Sequence, residues 1–394
     1  MWNTAKLGDV IEKGETINPT TNPDIQFNYI DVSSVDRASF RIGKTQSLLG
    51  KDAPSRARRA VRTGDVLFAT IRPTLQRVAI VPEELNGEVC STGYIVLRPK
   101  SGILCSKFIF YYMLSEKVKA EMEGLQTGAS YPAVNDTQVK NLHISYPPLA
   151  EQQRIVAKLD AAFTEIDVAI EVLENNKNQG RKLFQRVLSD LISKKSENDS
   201  SLTLKEIAKF LDYRGKTPPK AESGIKLLTA KNVRMGFIRN QPEEFVSEEG
   251  YRQHMTRGFP KVGDVIFTTE APLGLVAQIE DDSFALGQRL ITFQILNDVM
   301  KSTYLKFVLM SEPYQKIILE KGTGATVKGI KASLLKEIKI AFPVSLDEQE
   351  NRIAVIEEVE KNCNDLANNY TKQVSLYQSL KSTILAQELQ SEAA

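Results

Sequence analysis

Arginine is the side chain best suited to grip phosphate or the edge of a guanine, because its planar fork donates in parallel pairs. One stretch of this sequence concentrates it. Lys51, Arg56, Arg58, Arg59, Arg62, Arg72 and Arg77 stand against only Asp52 and Asp65. A second basic stretch holds Arg214, Lys216, Lys231, Arg234, Arg257 and Lys261, together with Lys220, Arg239 and Arg252. Both stretches are rich in loop-forming residues, and basic loops on otherwise neutral domains favour phosphate contact. The plain alternative is solvated charge. Two short turns add to the pattern: Thr127, Gly128 and Ser130, and Thr323, Gly324 and Thr326. Glycine lets backbone amides approach a phosphate closely, although the same residues also make an ordinary tight turn.

Catalytic patterns are missing. No strand leads into G-x-G-x-x-G, and the glycine-rich stretch from Lys321 to Gly329 follows a helical pattern with the wrong spacing. There is no phosphate-binding G-x-x-x-x-G-K-[ST]. Tyr146 to Leu149 has two prolines but neither the leading Asn or Asp nor the trailing aromatic of an adenine methyltransferase motif. His143 and His254 are the only histidines, and neither recurs in the other half of the chain. The expectation is a binding protein without turnover of its own.

The elements that position these residues come in duplicate. Gly64, Asp65, Val66, Phe68, Thr70 and Pro73 recur 199 residues later as Gly263, Asp264, Val265, Phe267, Thr269 and Pro272. The Thr-Gly-Ala turns recur at a shift of 196, each between a helix-like segment (Phe108 to Glu116; Tyr304 to Glu312) and an apolar strand ending at proline. Leu149 to Ile155 matches Leu346 to Ile353. The chain therefore reads as a tandem duplication. Each copy opens with short β-branched strands: Val66 to Ile71, Arg77 to Val81, Tyr94 to Leu97, Val265 to Thr269 and Leu290 to Ile295.

Each copy closes with a long helix. Ile155, Leu159, Ala162, Ile166, Ala169 and Leu173 alternate in steps of four and three, the seam of a coiled coil. The second seam runs through Ile356, Val359, Cys363, Leu366, Tyr370, Gln373 and Tyr377. Helices of this length span roughly 60–68 Å and cannot bury a seam alone. The simplest solution pairs them antiparallel, with the strand-rich domains at opposite ends. The expected fold is α+β with a pseudo-twofold internal repeat. Its parts are a first domain over 1–149, a helix over 150–195, a polar linker over 196–201, a second domain over 202–345 and a helix over 346–394.

Composition sets the outer bounds. At 394 residues, with 42% hydrophobic and 25% charged residues, the chain holds two or three ordinary domains. Three scattered cysteines exclude a disulfide scaffold and suit a reducing compartment. No apolar run reaches membrane-spanning length, so a cytoplasmic protein without membrane contact is expected. The net charge of +2 means that any nucleic-acid surface is local.

With these marks in order, the chain resembles the DNA-specificity subunits of type I restriction–modification systems. The marks are two strand-rich domains each followed by a long helix, the repeated Gly-Asp-Val strand, the Thr-Gly-Ala turn, and a Leu-x-Glu-Gln opening of each helix (Leu149 to Gln152; Leu346 to Gln349). The resemblance implies a subunit without a catalytic centre or cofactor. Each domain would read one half of a bipartite double-stranded DNA target. The helices would set the spacing and dock two methyltransferase subunits, which bring S-adenosylmethionine and methylate adenine. Motor–nuclease subunits using ATP and Mg would join that complex. The other function class is a coiled-coil scaffold that binds proteins only.

Overall fold

A computed structural model describes residues 2–128, 130–215, 217–281, 283–324 and 327–390. The chain forms two compact units: Met1–Leu173 with Thr371–Ala394, and Glu174–Tyr370. Their boundaries fall inside the long helices, Leu149–Ser193 and Leu346–Glu388, rather than at the helix ends expected from the pattern.

In the first unit, Asn3–Lys6 pairs antiparallel with His143–Tyr146. One sheet runs in the order Gln46–Leu49, Gln26–Ile30, Val89–Ser91, Ala57–Ala60, with a parallel pair at its centre. The other is antiparallel, with Val66–Ala69 between Val78–Ile80 and Tyr94–Leu97. Val66 to Ala69 are all buried, so this strand is not amphipathic. Its two-residue pleat instead serves two cores. Val66 and Phe68 join Phe108 and Leu159 on one side, while Leu67 and Ala69 join Ile30 and Val35 on the other.

The second unit repeats the plan. Asp199–Thr203 pairs with Lys339–Pro343, so half of the expected linker is strand. Polar Asp199, Ser200 and Ser201 are strand here because each pairs with a residue of Lys339–Pro343: Pro343, Phe342 and Ala341. Val265–Thr268 is again central, sending Val265 and Phe267 to one core and Ile266 to another. Two features differ. Ala208–Asp212 adds a strand beside Leu290–Ile295, where the first unit has only the Ile11–Pro99 bridge. A helix, Glu248–His254, stands where the first unit has the short 3-10 turn Gly50–Asp52, and the strand Ala57–Ala60 has no counterpart before Val265–Thr268. Each helix-like stretch is a pair of helices, Ser106–Leu114 with Glu116–Leu125, and Ser302–Met310 with Glu312–Lys321. Ser115 and Ser311 break them in extended conformation.

The repeated sequence marks have local physical reasons. Gly64 and Gly263 sit at φ +84° and +89°, where a side chain is disfavoured. The next residue's carboxylate accepts from the amide three positions back: Asp65 from Arg62 and Asp264 from Lys261, both at 2.8 Å. Gln152 and Gln349, fully buried, latch each long helix to its own unit. Gln152 accepts from the Cys105 amide at 3.0 Å and donates to the Ile103 and Pro147 carbonyls, both at 2.8 Å. Gln349 does the same with the Lys301 amide and the Pro343 carbonyl, both at 2.8 Å.

Within each unit the helix segments run antiparallel. In the first, Lys158 pairs with Glu388 and Asp167 with Lys381, while Ile155 and Leu159 share a core with Leu385. In the second, Leu188 and Ile192 share a core with Ile353 and Ile356, and Arg352 donates to the Leu191 carbonyl at 2.9 Å. Ile155, Leu159, Ile166 and Ile356 are buried seam residues; Leu173, Val359, Tyr370 and Tyr377 are half-buried. Leu366 is 48% exposed and lies off the seam.

Candidate nucleic-acid interface

The two motifs singled out by repetition meet in space, and in the same way in both units. After the first unit's central strand, the Thr70 carbonyl accepts from the Val134 amide at 2.9 Å and the Arg72 amide donates to the Pro132 carbonyl at 2.7 Å. Thr127 and Ala133 close the hairpin with hydrogen bonds of 3.0 and 2.9 Å. In the second unit the Thr269 carbonyl accepts from the Ile330 amide at 2.9 Å, and Thr323 and Gly329 close the hairpin at 2.8 and 2.9 Å. Gly128 and Gly324 are at φ +103° and +118°. A Cβ at Gly324 would lie 2.1 Å from the Val327 carbonyl, so the turn itself requires glycine. Thr127, Ser130 and Thr323 are exposed on these hairpins.

The hairpin mouth of the first unit gathers part of its basic cluster. Arg72, at φ +50°, lies over the Tyr131 ring at 5.1 Å from its centroid, and Tyr131 is 71% exposed. The Arg56 carbonyl accepts from the Thr92 amide at 2.8 Å, next to Gly93, whose carbonyl accepts from Thr70. Arg56 itself is exposed. Arg58 and Arg59 line a cleft of about 270 Å³ with Lys13, Thr92, Asp136 and Lys140.

Other members of the cluster are committed elsewhere. Arg59 makes a bidentate pair with Asp136 at 2.7 and 3.1 Å. Arg77 is half-buried and donates to the Val35 carbonyl at 2.7 Å. Arg62 pairs with Glu15 at the opposite end of the central strand from Thr70. Lys51 is exposed beside the outer strand Gln46–Leu49. The sequence counts charge but not partners, which is why these residues looked alike.

The second unit's mouth is a cleft of about 410 Å³ lined by Arg214, Thr269, Glu270, Gln288, Arg289, Thr323 and Lys331, among others. Arg214 is fixed there by Asp212 at 2.8 and 2.7 Å, and Arg257 donates to the Asp212 carbonyl. Burial pulls the Asp212 carboxyl up, but the Arg214 hydrogen bonds outweigh it and hold the group below its usual range. The same hydrogen bond lifts the Arg214 guanidinium above its ordinary value. Lys231 pairs with Glu244 at 3.3 Å, and Arg234 donates to the Lys231 and Val233 carbonyls. Lys261 is exposed at the far end of the central strand. Lys216 and Thr326 lie outside the described residues.

Four residues at the two mouths carried no basic-cluster signal: Tyr131, Glu270, Gln288 and Arg289. Placing Ser91 to Tyr94 against Leu286 to Leu290 in the repeat would have marked the last two, because only the second copy has long polar side chains there. Among the described residues no cluster of His, Cys, Asp and Glu could hold a metal ion. His254 is buried, with Nε2 2.8 Å from the Leu286 carbonyl.

The type I restriction modification DNA specificity domain model matches residues 1–177 and 197–376, one match per copy of the repeat. The HindI specificity subunit of Haemophilus influenzae is 25% identical over 55% of this chain, and the match spans 48% of that subunit. The MjaVIII specificity subunit of Methanocaldococcus jannaschii is 28% identical over 66% of this chain and 65% of its own length. The chain thus spans about half to two thirds of these curated relatives. Among solved structures, a chain of a type I R-M system, studied for complex assembly and conformational transition, aligns with a TM-score of 0.82. It is 26% identical, and the alignment covers 99% of this chain and 98% of that one.

Proposed function

The chain belongs to the type I restriction modification DNA specificity family, and on that premise we propose that it is the sequence-reading subunit of such a system. Each unit reads one half of a bipartite double-stranded DNA target. The paired helices set the spacing and dock two methyltransferase subunits, whose S-adenosylmethionine methylates adenine. Motor–nuclease subunits that use ATP and Mg join through that complex. The chain itself turns nothing over, and its place is the cytoplasm. No helix among the described residues is long and apolar enough to cross a membrane.

One observation carries this reading: a shared strand-and-hairpin frame has Arg72 over Tyr131 beside it in one unit and Arg289 paired with Glu270 beside it in the other. Shared scaffolds with exchanged polar side chains are what two readers of different sequences require. A scaffold that binds proteins alone gives no reason for it. The decisive experiment maps methylated adenines with the chain present and absent beside its modification subunits. The expected result is one bipartite motif that depends on the chain. Methylation without such a motif, or turnover by the purified chain alone, overturns the reading. If the helices are the ruler, one added heptad in each lengthens them by roughly 10 Å. The preferred spacer should then grow by about three base pairs, and an unchanged spacer removes that role.

A further inference from the structure

Two exposed side chains outside every basic cluster stand on a three-residue link between two strands of the second unit. Gly287, Gln288 and Arg289 join the strands Phe284–Leu286 and Leu290–Ile295. Both ends of this link are clamped. The Gly287 amide donates to the Leu228 carbonyl at 2.7 Å, and a Cβ there would stand 2.9 Å from that same oxygen. At the other end, Thr269 donates its amide (2.9 Å) and its hydroxyl (3.2 Å) to the Arg289 carbonyl. Arg289 is held at φ +72°, a left-handed conformation that a residue with a side chain adopts only when its surroundings impose it.

Glu270, from the loop after the central strand, meets Arg289 Nε at 2.9 Å, and both side chains are 46% exposed on the cleft. A guanidinium anchored through Nε keeps its two terminal Nη groups available as donors. Arginine in this state is suited to the O6 and N7 acceptors of guanine, and a neighbouring glutamine to the N6 and N7 edge of adenine.

The first unit shows that the position is variable on a constant frame. There Thr70 donates its amide (2.8 Å) and hydroxyl (3.1 Å) to Gly93, so Gly93 occupies the place of Arg289. A Cβ at Gly93 would lie 2.5 Å from Val32 Cγ2, and no side chain fits. The arginine arrives from the opposite loop as Arg72, where the second unit has Ala271, likewise left-handed at φ +47°. We propose that Gln288 and Arg289 are the base-reading pair of the second unit. Arg289 takes a guanine, Gln288 takes an adjoining adenine, and Glu270 is the residue that positions Arg289. The inference rests on the DNA-reading function above.

The test uses the chain assembled with its modification subunits and a library of randomised duplexes, with the bound fraction sequenced. The wild type should return a bipartite motif. Arg289→Ala should return the same motif with one guanine relaxed in one half, its discrimination falling about tenfold to a hundredfold. The other half-motif stays intact and serves as the control for folding. Arg289→Lys, which keeps the charge without the fork, should relax the same position and decides the case if the alanine variant does not assemble. Glu270→Ala should relax that guanine alone, and should add nothing when combined with Arg289→Ala. Gln288→Ala should relax an adjacent adenine. A motif unchanged in both Arg289 variants overturns the assignment. So does a uniform loss of affinity with the salt slope reduced by about 0.9, which would make Arg289 a phosphate contact. A wild type that returns no motif overturns the DNA-reading function itself.

Discussion

Asp65 and Arg98 meet through two hydrogen bonds of 2.8 Å in the first unit, both side chains nearly buried. The matching Asp264 has the Gln294 side-chain amide, at 2.7 Å, where Asp65 has an arginine. The Asp65 hydrogen bond lifts the Arg98 guanidinium above its ordinary value. Burial lifts the Asp264 carboxyl. Its folded-state pKa therefore exceeds the unfolded one, so the protonated group favours the fold. That contribution is lost as pH rises from the ordinary carboxylate range through the raised value. Asp65→Asn should cost about 3 kcal/mol at neutral pH, because it leaves a nearly buried guanidinium with Glu15 alone. Asp264→Asn should be neutral or stabilising and should flatten the acid-side pH dependence of the second unit. Urea unfolding reads both, with Trp2 fluorescence following the first unit through its packing on Phe108. Equal losses in the two variants would show that the carboxylates play one common role.

Gln152 and Gln349 do the same work on the two long helices. Removing Gln152 leaves the Cys105 amide and the Ile103 and Pro147 carbonyls without their partner, and removing Gln349 does so for the Lys301 amide and the Pro343 carbonyl. Gln152→Ala and Gln349→Ala should each destabilise their own unit by about 1–3 kcal/mol. Hydrogen exchange at the Cys105 and Lys301 amides is the local measurement. Protection unchanged at those amides would show that the latch contributes nothing.

Salt dependence separates the arginines of the first basic stretch. Arg56 is exposed, whereas Arg59 is bound to Asp136. Arg56→Ala should lower the log–log salt slope of DNA binding by about 0.9 and leave stability alone. Arg59→Ala should lower stability and leave the slope nearly unchanged. Titration of the assembled complex at several salt concentrations makes the comparison, and the reverse pattern would exchange their roles.

The hairpin glycines should differ in tolerance. A Cβ at Gly324 would lie 2.1 Å from the Val327 carbonyl, and one at Gly128 would lie 3.0 Å from the Tyr131 carbonyl. Both changes place a side chain at positive φ, at a cost of about 1–3 kcal/mol. Gly324→Ala must also move backbone. It should abolish binding to its half-site, while Gly128→Ala weakens binding at the other. Affinities for duplexes carrying one intact half-site give the result, and equal losses would rule out the steric difference.

The repeat made the central strands, the hairpins and both long helices legible, because two copies of one apolar pattern constrain each other. The strand Val66–Ala69 follows from its unbroken apolar run. Arg59 and Arg77 were legible only as charge, since Asp136 and the Val35 carbonyl lie far along the chain. Arg289 is legible only by setting Leu286–Leu290 against Ser91–Tyr94 of the other copy, because its distinction is a left-handed backbone whose carbonyl is held by Thr269, just beyond a different strand.

Leu385 completes the core that contains Ile155 and Leu159, and this has a consequence for synthesis. A ribosome finishes the first unit's own sequence at Leu173 and then makes the whole of Glu174–Tyr370 before the missing helix segment emerges. At about 5–20 residues per second, that delay is roughly 10–40 s. During it the core that contains Leu159 lacks Leu385, Ile384 and Leu389, while the second unit emerges as one uninterrupted stretch. The unit translated first is therefore the one completed last, and the nascent chain is most open to aggregation or chaperone capture at its N-terminal end.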